Sequence, residues 1–308
     1  MNKRIIAIIM LLLITVFLGF FRYSKQIQKP GLAADKIRIV ASFYPLYFLS
    51  TQIAGDKAQV TNLMPAGAEP HDYEPTAQDM AKMERSRLII LNGGGLEAWS
   101  ANVKKNIDVR KTIVVTAGEG LAAETAVEGG QKSLDPHIWL DPLLFEKMAE
   151  RITESLGQAD PANKDYYQAN LSRLKGKLDA LDGDYRQGLS RCAKRNIITA
   201  HAAFGYLAKA YGLTQVPITG LSPDAEPSAQ QLADIVKFVR ANNVKYIFFE
   251  SLASPKLSQA IATEVGAQTL VLNPLEGLSG QELASGEDYL TVMQTNLKNL
   301  ETALQCQK

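Results

Sequence analysis

The chain has 308 residues, 46% of them hydrophobic and 21% charged, an ordinary globular composition with more chain than one small core requires, so two lobes are expected. The formal net charge is +1 and neither sign gathers into a long run. Nothing in that balance points to nucleic acid or to an anionic partner surface.

At the N-terminus Lys3 and Arg4 precede the uncharged apolar run 5–21, and Arg22, Lys25 and Lys29 follow it. This reads as an export segment rather than a core helix. The run is longer than a usual signal core of roughly 7–15 residues and only just reaches the length of a membrane span. A small-residue cleavage site is readable at Leu32-Ala33-Ala34. It lies far beyond the run, so an uncleaved anchor is favoured, and with no cysteine after the run a lipid anchor is not expected.

Beyond residue 34, short β-branched runs alternate with stretches of helical period, the pattern of βα units around parallel sheets. Residues 37–41, 59–63, 88–91 and 112–116 read as strands of a first lobe, with helices at 45–54 and 96–106. Asp141-Pro142 supplies a cap and an N1 proline for a helix carrying Leu144, Met148, Ile152 and Leu156, which stops at Gly157. Asp160-Pro161 opens the next helix. Its apolar positions Tyr167, Leu171, Leu174, Leu178, Leu181, Tyr185 and Leu189 recur at steps of four and three, so an unbroken helix over 161–189 would span about 40 Å. A second βα series follows: strands 196–199, 215–219, 244–249 and 269–272, and helices 202–211, 228–242, 255–265 and 288–304. Ser228 and Gln231 form a capping box for the second of these helices. The expected fold is α/β, two small parallel-sheet lobes joined by one long rigid helix. Its divisions are an export signal or anchor with linker at 1–34, a first lobe at 35–159, the connecting helix at 160–190 and a second lobe at 191–308.

Cys192 and Cys306 are the only cysteines, so no Cys-x-x-Cys motif exists. Outside the cytoplasm a disulfide between them is the default, tying the end of the last helix to the start of the second lobe.

Three histidines occur, each in a loop beside a predicted element. His71 sits in Pro65-Ala66-Gly67-Ala68-Glu69-Pro70-His71-Asp72-Tyr73-Glu74-Pro75, and His137 in Asp135-Pro136-His137-Ile138-Trp139-Leu140-Asp141-Pro142. His201 follows strand 196–199. Loops beyond the carboxyl ends of parallel strands share one crevice, so the three imidazoles can converge there. A tetrahedral zinc site takes about four N, O or S ligands, and neutral imidazoles with one carboxylate meet that need. The best fourth ligand is Glu276, just after strand 269–272; Glu250, Asp72 and Glu69 are weaker alternatives. Each histidine taken alone reads as a surface or capping residue, and three such placements together point to a metal. Asp135 and Asp141 read as turn and capping residues beside proline, with orientation of His137 the secondary reading. Trp139 and Phe204 read as core or crevice wall.

At these motifs the chain resembles the metal-binding receptor proteins of bacterial zinc and manganese ABC importers, the cluster A-I family. The resemblance covers nearly everything after residue 34. It is carried by Ala41-Ser42-Phe43-Tyr44-Pro45, by the two loops around His71 and His137, by Thr199-Ala200-His201-Ala202-Ala203-Phe204-Gly205-Tyr206-Leu207 and by Leu272-Asn273-Pro274-Leu275-Glu276-Gly277. It implies two lobes bridged by a long helix, with His71, His137 and His201 as ligands of one metal in the cleft. Many relatives have aspartate where this chain has Asn273. In those written Asn-Pro-Leu-Glu the glutamate is the fourth ligand, which assigns Glu276. Manganese-selective relatives tend to replace the third histidine with glutamate; this chain keeps His201, a donor set that suits zinc. The stretch 117–134 is acidic without histidine, so the metal-scavenging loop of some relatives is absent.

The resemblance therefore implies an extracytoplasmic solute-binding protein, at the outer face of the cell membrane or in the periplasm. It would be a monomer binding one Zn(II) per chain and delivering it to an ABC permease. The alternatives are a manganese or other divalent-metal receptor of the same type, a secreted zinc hydrolase, which would need an open water position and a general base, and an adhesin braced by a structural metal.

Overall fold

Leu88-Ile89-Ile90-Leu91 is apolar at every position because strand β3 (Leu88–Leu91) is covered on both faces, and none of its side chains is more than 1% exposed. That is the mark of a strand inside a parallel sheet. In the computed structural model, which describes residues 36–128 and 131–307, β3 lies beside β1 (Ile37–Ala41) in a first sheet. The edges of that sheet are β2 (Ala58–Asn62) and β4 (Ile113–Thr116), in the order β2-β1-β3-β4, all parallel. Ile39, Leu88 and Ile90 face helices α1 (Tyr44–Ala54) and, later in the chain, α4 (Pro142–Ala159). Val40, Ile89 and Leu91 face α2 (Ala77–Glu84) and α3 (Ser100–Asn106) through Met83 and Val103.

After β4 an antiparallel hairpin, β5 (Thr125–Glu128) and β6 (Gln131–Leu134), leads to the His137 segment. Asp141 then caps α4, its Oδ1 accepting from the backbone N–H groups of Leu143 and Leu144 at 2.8 and 3.3 Å, as the Asp-Pro pair implies.

Helix α5 (Lys164–Gly188) is the connector. Its 25 residues span about 37 Å. The stripe Tyr167, Leu171, Leu174, Leu178, Leu181 and Tyr185 is buried against α4 and α1 of the first lobe and, beyond them, against the C-terminal helix. The second sheet consists of β7 (Asn196–Thr199), β8 (Thr214–Pro217), β9 (Tyr246–Phe249) and β10 (Gln268–Val271), in the parallel order β10-β9-β7-β8. Its helices are α6 (Gly205–Ala210), α7 (Ala229–Ala241), α8 (Lys256–Val265), the short α9 (Gly280–Ala284) and α10 (Tyr289–Ala303). One apolar cluster runs without a break from Ile39 and Leu49 through Trp139 and Leu178 to Phe204, Leu275 and Tyr289, so both lobes share a core.

The two-lobed α/β arrangement with a long joining helix is as expected, and the differences are local. The predicted helix 161–189 is broken into a 3₁₀ turn, Pro161–Asn163, followed by α5. Helix 96–106 begins only at Ser100, because the buried carboxylate of Glu97 ties down the preceding turn. The predicted helix 202–211 shrinks to α6, because Ala202 N–H bonds to the Gly220 carbonyl and holds His201–Phe204 in an irregular turn. Helix α2 was not foreseen although its capping box is in the sequence: Thr76 accepts from Asp79 N–H, and Asp79 accepts from Thr76 N–H at 3.0 Å. The hairpin and α9 were likewise missed. The Cys192–Cys306 disulfide is formed, beside the end of α10. The expected export segment lies outside the described residues; among those described, no helix is long and apolar enough to cross a membrane.

Candidate metal centre

Parallel strands deliver their following loops to one side, and ligands gather where neighbouring loops diverge. In the second sheet that point lies between β7 and β9, and His201 and Glu250 follow those two strands directly. Glu250 Oε1 lies 2.6 Å from His201 Nδ1 and also accepts from His201 N–H at 3.2 Å. In the first sheet the point lies between β1 and β3. There the fully buried Glu97 accepts from Ser42 Oγ at 2.7 Å, from Asn92 N–H at 2.7 Å and from Gly93 N–H at 2.9 Å. Burial pushes the Glu97 carboxyl upward against these donors. Asn92 Nδ2 reaches across to donate to Pro136 O at 3.0 Å, anchoring the turn that presents His137.

His137 is fully buried. Asp135 Oδ1 accepts from its backbone N–H at 2.9 Å and lies 2.7 Å from its ring Nδ1. Asp135 therefore makes the turn expected of it beside proline and offers no atom to the cluster, and the same oxygen also contacts the imidazole, the secondary role given to it above. A carboxylate at Nδ1 holds the proton there and leaves the Nε2 lone pair free, and Glu250 does the same for His201. The signal was present in the sequence as an aspartate two residues before the histidine.

His71 is set by its proline-rich loop, in which Gly67 adopts φ 79°, a value natural to glycine. Gly67 N–H donates to Leu278 O at 3.1 Å, fastening this loop to the Glu276 loop. The latter is organised by Asn273, whose Oδ1 accepts from Leu275 N–H at 2.7 Å and whose Nδ2 donates to Ser251 Oγ at 2.9 Å. Asn296 on α10 accepts from Asn273 N–H at 2.9 Å and donates to Asn273 O at 2.7 Å. Asn273 thus holds backbone and contributes no atom to the cluster, and neither this role nor that of Asn296 was anticipated.

The three imidazoles and Glu276 meet, each offering one atom and all four atoms lying within 4.8 Å of one another. Glu276 Oε1 is 3.3 Å from His71 Nε2, 3.0 Å from His137 Nε2 and 3.2 Å from His201 Nε2. His137 Nε2 is 3.3 Å from both His71 Nε2 and His201 Nε2. Donors about 2.0 Å from a tetrahedral zinc stand about 3.3 Å apart along each edge. Five of the six edges, at 3.0–3.3 Å, are close to that length, spacing suited to an ion of Zn(II) size.

The electrostatics are those of a cation site. Burial pulls the His201 pKa down, but the Glu250 and Glu276 charges outweigh it and hold it well above the ordinary value. For His137, burial is likewise overcome by Asp135 and Glu276, so its pKa is raised. Burial works to raise the Glu276 pKa, yet the His201 charge and the hydrogen bonds of the three rings hold it well below the usual carboxylate range. Of the weaker candidates, Glu250 lies behind His201, and Asp72 is exposed and outside the cluster. Glu69 accepts from His71 N–H at 3.2 Å. Burial and then the Glu276 charge push its carboxyl up to about 8, and it offers no atom to the cluster. Trp139 and Phe204 are fully buried, as expected for wall and core.

The model of the family described as zinc-uptake complex component A, periplasmic, matches residues 39–303. The high-affinity zinc uptake system protein ZnuA of Bacillus subtilis is 40% identical over 284 residues, 88% of each chain. The zinc-binding lipoprotein AdcA of Streptococcus pneumoniae is 40% identical over 289 residues, 90% of this chain but only 57% of AdcA. The crystal structure of the Zn(II)-bound ZnuA-like domain of S. pneumoniae AdcA superposes with a TM-score of 0.77 at 40% identity, covering 87% of this chain and 99% of that domain. The chain thus corresponds to that domain of the longer protein. With the match running from β1 to the end of α10, the chain belongs to the ZnuA family of periplasmic zinc-uptake components.

Proposed function

We propose that this chain binds one Zn(II) between its lobes through His71, His137, His201 and Glu276 and delivers it to an ABC permease in the cell membrane. The observation that carries the reading is the set of 3.0–3.3 Å separations among the four donor atoms. It acts outside the cytoplasm, as a solute-binding component of a zinc importer, as the family does. The divisions 1–34, 35–159, 160–190 and 191–308 serve this role as export signal or anchor, first lobe, strut and second lobe, in a protein that works as a monomer.

Three neutral imidazoles and one carboxylate suit zinc over manganese, which prefers more oxygen. Manganese is the alternative cargo. A closed four-donor shell leaves no position for an activated water, so we read the site as a carrier rather than a hydrolase. The shared core and the stiff α5 favour a small motion on release, confined to the loops that bear the ligands.

The test is a competitive zinc titration of the wild type and a His201→Ala variant, with growth under chelation as the second readout. Loss of one of four ligands should weaken binding by at least about 100-fold and abolish growth. The reading is falsified if His201→Ala binds zinc as tightly as the wild type and still supports growth.

A further inference from the structure

One side chain touches both the His137 segment and the Glu276 loop, which lie far apart in sequence. Trp139 is fully buried. Its ring centroid lies 5.1 Å from that of His137, and its indole N–H donates to Pro274 O at 2.8 Å, two residues before Glu276. Phe43 also packs on the ring, edge to face at 4.8 Å, and the Trp139 carbonyl accepts from Tyr289 OH at 2.6 Å. A buried indole with every polar contact satisfied has a single orientation open to it.

The loop it meets needs holding. Leu275 stands at φ 58°, a left-handed conformation that a non-glycine residue keeps only where its neighbours enforce it. The turn at Leu275 is what directs Glu276 at the imidazoles. Asn273 and Asn296 restrain the loop from within the second lobe. Trp139 restrains it relative to His137 itself, across the lobes.

We propose that Trp139 is a positioning residue for the ion site: its indole N–H, bound to the Pro274 carbonyl, sets the Glu276 carboxylate at coordinating distance from the His137 imidazole. Without that bond Leu275 relaxes, Glu276 withdraws, and water takes the fourth position on the ion. The proposal rests on the four-ligand reading above and adds to it the group that fixes two of the ligands against each other.

The test uses the full chain in four forms: wild type, Trp139→Phe, Glu276→Ala and the double variant, each titrated with Zn(II) and with Co(II). Phenylalanine keeps an aromatic body in the pocket and lacks the donor. Replacing Trp139 with 3-benzothienylalanine, which keeps the full shape without the N–H, is the companion variant should Trp139→Phe fold poorly. The expected result is about 10-fold weaker Zn(II) binding in Trp139→Phe, as for loss of a group that orients a ligand. Its Co(II) visible spectrum should move toward that of Glu276→Ala. In the Glu276→Ala background the same change should alter affinity by less than about two-fold, because the group being positioned is gone. Wild-type affinity in both donor-less variants, or an equal loss with and without Glu276, overturns the proposal while leaving the four ligands intact. Wild-type affinity in Glu276→Ala would remove the four-ligand reading itself, and the role of Trp139 with it.

Discussion

Glu250 Oε1 lies 2.6 Å from His201 Nδ1, with both side chains buried. The carboxylate does for His201 what Asp135 does for His137, fixing the tautomer and making Nε2 a better donor. Glu250→Gln keeps an acceptor of similar shape and removes the charge, so zinc affinity should fall by about 10-fold, whereas Glu250→Ala should cost closer to 100-fold. A competition titration against a zinc chelator of known strength measures both. Equal affinity in all three proteins would mean that Glu250 only fills space.

Raised imidazole pKa values make zinc and protons competitors. His137 and His201 lie above their ordinary value when no ion is bound, so binding must displace protons at neutral pH and affinity should climb as pH rises. Stability of the ion-free fold should run the other way. The contribution of the raised histidines is complete below their unfolded-state pKa and is lost as pH rises through the folded value. The contribution of the depressed Glu276 is present above the ordinary carboxyl value and is lost only in stronger acid. The gain in melting temperature on adding zinc should therefore grow as pH rises above the ordinary histidine value of about 6.5. Calorimetry in buffers of different ionisation enthalpy should detect proton release on binding, and a value of zero would contradict it.

Much of this was readable before any coordinates. The strands were legible because parallel strands buried on both faces are nearly all apolar, and α5 because its stripe repeats at four and three. The cluster was legible because chemistry-bearing residues stood in proline-fixed loops just after strands. What escaped depends on partners far away in the chain. Nothing local distinguishes Asn273 as a loop clamp without Asn296 opposite it, or Glu97 as a turn clamp without Ser42. For Asp135 the turn was legible from the aspartate before proline, and the weight of its ring contact was not, because the same oxygen serves both the backbone and the ring.

Asn296 offers a measure of how costly the loop clamp is to remove. It is 1% exposed and satisfies both backbone groups of Asn273. Asn296→Ala would strand two buried groups, at about 1–3 kcal/mol each. Denaturant unfolding of the ion-free protein should show a loss of about 2–5 kcal/mol. A smaller loss, under about 1 kcal/mol, would show that water replaces the amide at no great cost.

The disulfide should separate stability from binding. Cys192 and Cys306 are 114 positions apart, and closing so long a loop restricts the unfolded chain by up to about 4.7 kcal/mol in the chain-entropy account. The bond joins the turn after α5 to the end of α10, and neither sulfur belongs to the four-atom cluster. A Cys192→Ser, Cys306→Ser double variant should melt several degrees lower yet bind Zn(II) within about two-fold of the wild type, because sites without shared partners act independently. Thermal unfolding with and without zinc, paired with the same competition titration, reads both quantities. A large loss of affinity in the folded variant would mean that the bond at the far end of α10 sets the position of Asn296, and through it Glu276.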